Sequence, residues 1–165
     1  MKSRITQLII LLIVICNFGC DQISKNIVRK EVGYYDNIKV YIDNITLTKV
    51  ENTGAFLSVG SVLPQFLKYI LLIVLPAIVL VTGLYFILTK AQLPKLTIVG
   101  VAFVIGGGIG NLYDRIVFGS VTDFLHIDFI IFQTGVFNLA DVSIMVGMGM
   151  IIAAASWKQR VLKRI

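Results

Sequence analysis

"FNLADVSIMVGMGMIIAAASW", residues 137–157, carries one charge, and its position decides how the chain is read. From residue 142 to 157 nothing is ionisable. With a few residues before it, the stretch approaches the roughly 20 apolar residues that cross about 30 Å of hydrocarbon at about 1.5 Å per residue. Asp141 stands at its head, where a carboxylate is costly. An ionisable group entering a membrane segment marks a candidate functional site whose partner has to be found elsewhere in the chain.

Three further apolar stretches lie upstream: residues 5–18 continuing to about 23, residues 69–89 without any charge, and residues 96–112. The chain has 165 residues, 57% hydrophobic and 15% charged, with a mean hydropathy of +0.89. A soluble domain would be about a quarter charged. The expected fold is therefore a mainly α membrane protein with four transmembrane helices, near 5–23, 67–89, 95–113 and 136–157. Residues 1–165 read as one membrane-embedded domain, and four spans leave both termini on one side.

Charge placement says which side. Lys2 and Arg4 precede the first span, Lys90 and Lys95 link the second to the third, and Lys158, Arg160, Lys163 and Arg164 follow the fourth. These segments hold eight of the 15 basic residues and no acid. By the positive-inside rule they are cytoplasmic. All nine acids then lie at or beyond the outer ends of spans. The net charge of +6 reflects orientation in a membrane and not nucleic-acid binding.

Two outer segments remain, 26–65 and 114–135. "IKVYIDNITLTKV" (38–50) alternates apolar and polar residues around Asp43-Asn44, which predicts strand, turn and strand. "VTDFLHIDF" (121–129) alternates as well. The N-terminus, "MKSRITQLIILLIVICNFGC", has the basic start, apolar run and Gly-Cys of a bacterial lipoprotein signal peptide. Asn17 and Phe18 replace the leucine and small residue usual there, and three more spans follow, so it is read as a retained first span. Cys16 and Cys20 are expected to be packing residues on one helix face, not a disulfide or metal pair.

Counting from the cytoplasmic anchors gives depth. Asp141 is roughly 25 Å above Lys158, Asp21 roughly 25 Å above Arg4 and Asn111 roughly 24 Å above Lys95 at the helical rise. Asp114 and Arg115 lie about one turn further out. Three helices thus bring polar side chains to one level just inside the outer boundary. In "GGGIGNLYDR" (106–115), Gly106, Gly107, Gly108 and Gly110 allow a neighbouring helix to approach closely. They do not account for Asn111, Asp114 and Arg115 directly after.

Asp123, Asp114 and Asp21 are the candidate partners of Asp141. Two carboxylates in one site share a proton, because one is driven to hold it. Such a pair can take a proton from water and give one to a carbonyl or leaving amine, which is peptide hydrolysis without metal or covalent intermediate. Nucleophile chemistry fits less well, since His126 is the only histidine and no serine stands in a G-x-S-x-G setting. His126 reads as an interfacial polar residue. Zinc would need about three protein ligands, which one histidine and two cysteines of the first span do not supply. No metal and no cofactor are expected.

The chain resembles the bacterial lipoprotein signal peptidases (signal peptidase II) through five ordered motifs. They are "DQISK" (21–25), "NTGAFLSVG" (52–60), "GGGIGNLYDR" (106–115), "VTDF" (121–124) and "FNLAD" (137–141). The resemblance implies an aspartyl endopeptidase of the bacterial inner membrane with four spans, a small periplasmic β-sheet and a periplasmic-side active site. Its implied substrates are prolipoproteins, cut before their diacylglyceryl-modified cysteine. By the same resemblance the catalytic pair falls on Asp123 and Asp141, with Asn52, Asn111, Arg115 and Asn138 lining the site. Asp21, Lys25 and Asp114 match further family positions and are expected to be structural or supporting. Thr122 and Tyr113 depart from the usual valine and aliphatic residue. Phe56 and Leu57 are expected to cover the site and exclude water. Expected partners are the lipidated precursors and membrane lipids, with no nucleic acid and a monomeric chain.

A proton- or ion-coupled transporter is the alternative. Its carboxylates should sit near the midplane, often within inverted repeats, and here they sit at the outer edge with no repeat. A presenilin-type protease would want GxGD in a helix, which "GIGN" (108–111) breaks.

Overall fold

The computed structural model describes residues 3–40, 44–54, 62–89, 92–129 and 131–162, without the side chains of 132 and 158–162. Four helical segments within these are long and apolar enough to cross a membrane. The first is α1 (Arg4–Glu31). The second, Gln65–Thr89, consists of α2 (Gln65–Tyr69), a π-helical turn (Ile70–Val74) and α3 (Leu75–Thr89). The third is α4 (Lys95–Val117) and the fourth lies in α5 (Leu139–Leu162).

Local sequence explains the ends. The Ser3 hydroxyl accepts from the Thr6 N–H at 3.2 Å and caps α1. Arg29 and Lys30 in the last turn of α1 complement its dipole. The second and third spans start directly after Pro64 and Pro94, whose fixed φ suits a helix entrance. α1 runs to Glu31 and α4 to Val117, so the boundaries expected at about 23 and 113 fall short. The reason is a polar face. Asp21, Lys25 and Arg29 repeat at i, i+4 and are engaged by the bundle, so the helix continues where its apolar run ends.

The third span is the most buried of the four and the second the least. α4 packs against α1, α3 and α5 together, and its glycines make that possible. A Cβ on Gly106 would lie 2.7 Å from the Asn17 Cβ of α1. One on Gly107 would strike the Ala140 carbonyl of α5, and one on Gly110 the Asp21 carboxylate. The expected close helix approach is thus present, against two neighbouring helices, α1 and α5. Ile10, Val14, Ile87, Ile98, Ala102 and Ile105 form one apolar core cluster. Large exposed side chains such as Leu8, Leu12, Ile15, Ile78, Val81 and Ile152 cover the outside of the bundle, as a lipid-facing surface requires.

A small antiparallel sheet closes one end, with strand order β1-β2-β3-β4. Its strands are β1 (Ile38–Lys39), β2 (Ile45–Asn52), β3 (Val121–Phe129) and β4 (Phe132–Gln133). Both alternating stretches form strands, although the turn at 41–43 lies outside the described residues. β2 pairs with β3 so that Val50 faces Asp123 and Asn52 faces Val121, with an irregularity between Leu47 and Val50. A second apolar cluster of Val28, Val32 and Phe124, joined by Leu47, Leu125 and Leu139, seats the sheet on the helix ends. Between the two apolar clusters lies a layer of buried polar side chains.

Candidate active site

Asp123 and Asp141 reach one cleft from different elements, and backbone pairing fixes both. After α4 the chain turns at Gly119, whose φ of 78° suits a residue without a Cβ, and enters β3. Asp123 is the third residue of that strand. Phe137 then pairs with Leu125 through N–H···O bonds of 2.8 and 2.9 Å, which brings the start of α5 beside β3. Asn138 caps α5. Its side-chain oxygen accepts from the Asp141 N–H at 2.9 Å, and the Asp141 carboxylate accepts from the Asn138 N–H at 3.3 Å. This is a reciprocal capping box at N-cap and N3, and it fixes where Asp141 points.

Asn138 also joins the two carboxylates. Its Nδ2 donates to Asp123 at 2.6 Å and to the Asn111 side-chain oxygen at 3.2 Å. Asn111 Nδ2 donates to Asp141 at 2.9 Å, and Asn52 Nδ2 donates to the other Asp123 oxygen at 3.0 Å. Among the described residues, every short donor to either carboxylate is therefore a neutral amide. Among the described residues neither Asp123 nor Asp141 has an ion-pair partner. Both line a cavity of about 440 Å³ with Asn52, Asn111 and Arg115 on one side and Leu71, Leu72, Pro76, Ile144 and Met145 on the apolar side. Burial pushes the Asp123 carboxyl up to about 6; the neighbouring Asp141 carboxylate pushes the same way, against the lowering effect of the Asn52 and Asn138 amides. Arg115 donates to the Gly54 carbonyl at 2.8 Å and to that of Asn111 at 3.3 Å. It thereby ties the chain after β2 to the end of α4.

Beside this cleft, Asp21 and Asp114 are arranged differently. Lys25 Nζ lies 2.8 Å from Asp21 and 3.0 Å from Asp114, and all three side chains are fully buried. Arg29 reaches the second Asp114 oxygen at 2.8 Å. Gln22 donates to Asp21, Asp114 and the Gly110 carbonyl, and the Ala140 N–H donates to Asp21 at 2.9 Å. The cluster thus binds α1, α4 and the first turn of α5 to one another. It reaches the cleft through Lys25, which donates to the Asn111 side-chain oxygen at 2.9 Å.

A family model described as signal peptidase (SPase) II matches residues 11–157, most of the chain. The chain belongs to the signal peptidase II family. The lipoprotein signal peptidase of Pasteurella multocida is 34% identical over 138 residues, which cover 84% of this chain and 82% of that protein. That of Lactococcus lactis is 32% identical over 148 residues, covering 90% and 93%. Two solved structures of a bacterial membrane enzyme, obtained by the in meso method at 2.3 and 1.9 Å, superpose with TM-scores of 0.79 and 0.77. They are 25% and 26% identical and cover 91% and 88% of this chain, and 88% and 91% of theirs. This chain is accordingly a bacterial membrane protein of a peptidase family.

In this signal peptidase II chain the nine residues singled out in the sequence fall into two groups. Asp123, Asp141, Asn52, Asn111, Arg115 and Asn138 meet at the cleft, and Asp21, Lys25 and Asp114 form the ion-paired cluster behind it. Of the three candidate partners of Asp141, two are thus engaged by cations, and Asp123 shares its cleft. Phe56 and Leu57 lie outside the described residues. One expectation is corrected: Cys16 and Cys20 are not packed in the core but are free thiols exposed on the outer face of α1. They share a helix side, as their spacing requires, yet Val14, Asn17 and Asp21 are the residues turned inward. Arg29, Gln22 and Thr122 were missed. The D-x3-K-x3-R spacing of Asp21, Lys25 and Arg29 was the available signal. Thr122, a departure from the family pattern, accepts from Arg29 at 2.9 Å and bonds Glu51 at 3.1 Å.

Proposed function

We propose that this chain cleaves the signal peptide from lipoprotein precursors by general acid–base hydrolysis on the Asp123–Asp141 pair. One observation carries the reading: two carboxylates held, among the described residues, by neutral amides meet in one cleft with an apolar wall at the end of the spans. One carboxylate takes a proton from a water, whose oxygen attacks the scissile carbonyl carbon, while the other gives its proton to the carbonyl oxygen. Collapse breaks the C–N bond and a proton passes to the leaving nitrogen. The signal peptide leaves with a new carboxyl terminus and the cysteine with a free amine. Asp123, with its carboxyl held near 6, is the natural holder of the shared proton.

The relatives' names support lipoprotein precursors as the substrates, and the motif resemblance implies a cut before a diacylglyceryl-modified cysteine. Acyl chains in the outer leaflet would bring the scissile bond just inside the boundary, at the level of the cleft. The orientation follows from the basic segments: sheet and cleft outside, termini and the residue 90–95 link inside. Reporter fusions at residues 40, 92 and 165 are expected to read outside, inside and inside, and an outside signal at 92 would overturn the orientation. The activity itself is tested with purified protein and a matched pair of precursors, lipidated and unlipidated. Cleavage of the lipidated one alone is expected; cleavage of neither would sink the reading.

A further inference from the structure

The second span enters the cleft with Leu71, Leu72 and Pro76, and its hydrogen-bond ladder is interrupted at those residues. Ile70–Val74 form a π-helical turn, and the Leu75 N–H donates to the Ile70 carbonyl, five residues back. In a regular α-helix the Leu75 N–H would serve Leu71, and the N–H of residue 76 would serve Leu72. Pro76 has none to give. The carbonyls of Leu71 and Leu72 thus both lack the donor four residues on. In a membrane-spanning helix such groups are unfavourable unless a neighbouring chain, a water or a ligand satisfies them. π-turns of this kind frequently sit at functional sites.

The facing wall is the reverse. The Asn111 side-chain oxygen accepts from Lys25 and Asn138, that of Asn138 from the Asp141 N–H, and that of Asn52 from the Gly54 N–H. The amide oxygens beside the dyad are already committed to internal donors. A peptide segment in the cleft brings N–H groups that need acceptors. We propose that the Leu71 and Leu72 carbonyls accept the backbone N–H groups of the substrate residues flanking the scissile bond, and so hold that segment extended opposite Asp123 and Asp141. This rests on the peptidase reading and adds the element that recognises the substrate's backbone. Because it reads only N–H groups, it serves precursors of differing sequence.

The test is a coupled series on a lipidated precursor peptide in which single amides near, but not at, the scissile bond are replaced by esters. An ester removes one N–H and adds no bulk. With wild-type protein, one or two ester positions are expected to raise KM roughly 3- to 10-fold, with kcat within about twofold, as loss of a hydrogen bond made equally in ground and transition states requires. Pro76→Ala restores an N–H opposite the Leu72 carbonyl. It is expected to raise KM for the all-amide peptide by a similar factor, to shrink the ester penalty below about twofold, and to keep or raise thermal stability. The inference is overturned if no ester position moves KM in the wild type, or if Pro76→Ala handles the all-amide peptide as wild type does. It is also overturned if the ester penalty survives undiminished in Pro76→Ala. Should Pro76→Ala fail to fold, the wild-type ester scan still decides. Wild-type cleavage of the all-amide peptide stands apart as the control on the peptidase reading.

Discussion

Two pairs of aspartates lie side by side at the sheet end of the bundle, and the protein compensates them in opposite ways. Asp21 and Asp114 are fully buried and share Lys25, with Arg29 on the far oxygen of Asp114. Asp123 is nearly as buried and Asp141 half-buried, yet their partners are the amides of Asn52, Asn111 and Asn138. A cation alongside works toward the charged form of a carboxylate. One held by neutral N–H groups keeps a proton affinity that burial and a like charge can raise, and Asp123 reaches about 6 that way. What separates the two pairs most clearly is the charge of their partners.

The largest expected effect breaks the neutral pair. Asp123→Asn and Asp141→Asn should each lower turnover by at least about 10³-fold, near the upper range for general acid–base groups. Binding of the lipidated precursor should persist, because the carboxylates act mainly in the transition state. Turnover and binding measured together on purified variants check this. Near-normal turnover in Asp123→Asn, with loss in a well-folded Asp114→Asn, would reassign the partner of Asp141.

The charged pair should respond in stability. Lys25→Met leaves two buried carboxylates with Arg29 alone, and removing one partner of a buried ion pair costs about 3–5 kcal/mol. Asp114→Asn should cost less, because Asp21 still pairs with Lys25 and Thr122 still engages Arg29. Thermal unfolding in detergent gives the order. Equal losses would show that the cluster is not organised around Lys25.

Protonation offers a finer test. In the window between the ordinary 3.8 and about 6, folded Asp123 holds a proton that the unfolded chain has released. The resulting stabilisation is full below about 3.8, falls through the window and is gone above about 6. The difference in stability between wild type and Asp123→Asn should therefore slope with pH across the window, by on the order of 2–3 kcal/mol in all. A flat difference would mean that Asp123 is not raised. The pH profile of turnover should be bell-shaped, with values that belong to the pair. Substrate in the cleft removes more water, so the alkaline limb of kcat should lie above that of kcat/KM.

Much of this division was legible in the residues. Helical counting set Asp21, Asn111 and Asp141 at one level, and bonds through Ala140, Lys25 and Asn111 now link them. The period-2 stretches gave both long strands. Spacing alone could not choose among Asp21, Asp114 and Asp123, because the choice depends on which face of α4 meets the Asp21–Lys25 face of α1, a packing result. The motif resemblance made that choice. The π-turn was not legible either: the second span is apolar on all sides, so its periodicity carries no phase. The N-x-x-D spacing of Asn138 and Asp141 was visible and names their reciprocal cap, but only the sheet pairing of Phe137 aims that cap at Asp123.

The smallest expected effects come from the outer face of α1, and they sharpen the comparison by contrast. Cys16 adjoins Asn17, and Cys20 adjoins Asp21, yet one step along a helix turns a side chain by about 100°. Asn17 bonds Ser143 through its side-chain oxygen at 2.6 Å, and Asp21 enters the ion-paired cluster, whereas both thiols face outward without partners in the bundle. Cys16→Ala and Cys20→Ala should each change stability by less than about 0.5 kcal/mol, as exposed substitutions do. Neither should alter turnover, and thiol reagents should leave activity intact. Asn17→Ala, one residue away, should cost more, because it strands the Ser143 hydroxyl between α1 and α5. The intact mass of the purified protein should show residues 1–20 present and no lipid on Cys20. A lipid there would mean that the Gly-Cys sequence is itself processed. A Cys20→Ala variant that lost activity would move that face of α1 from the bundle's exterior into its working parts.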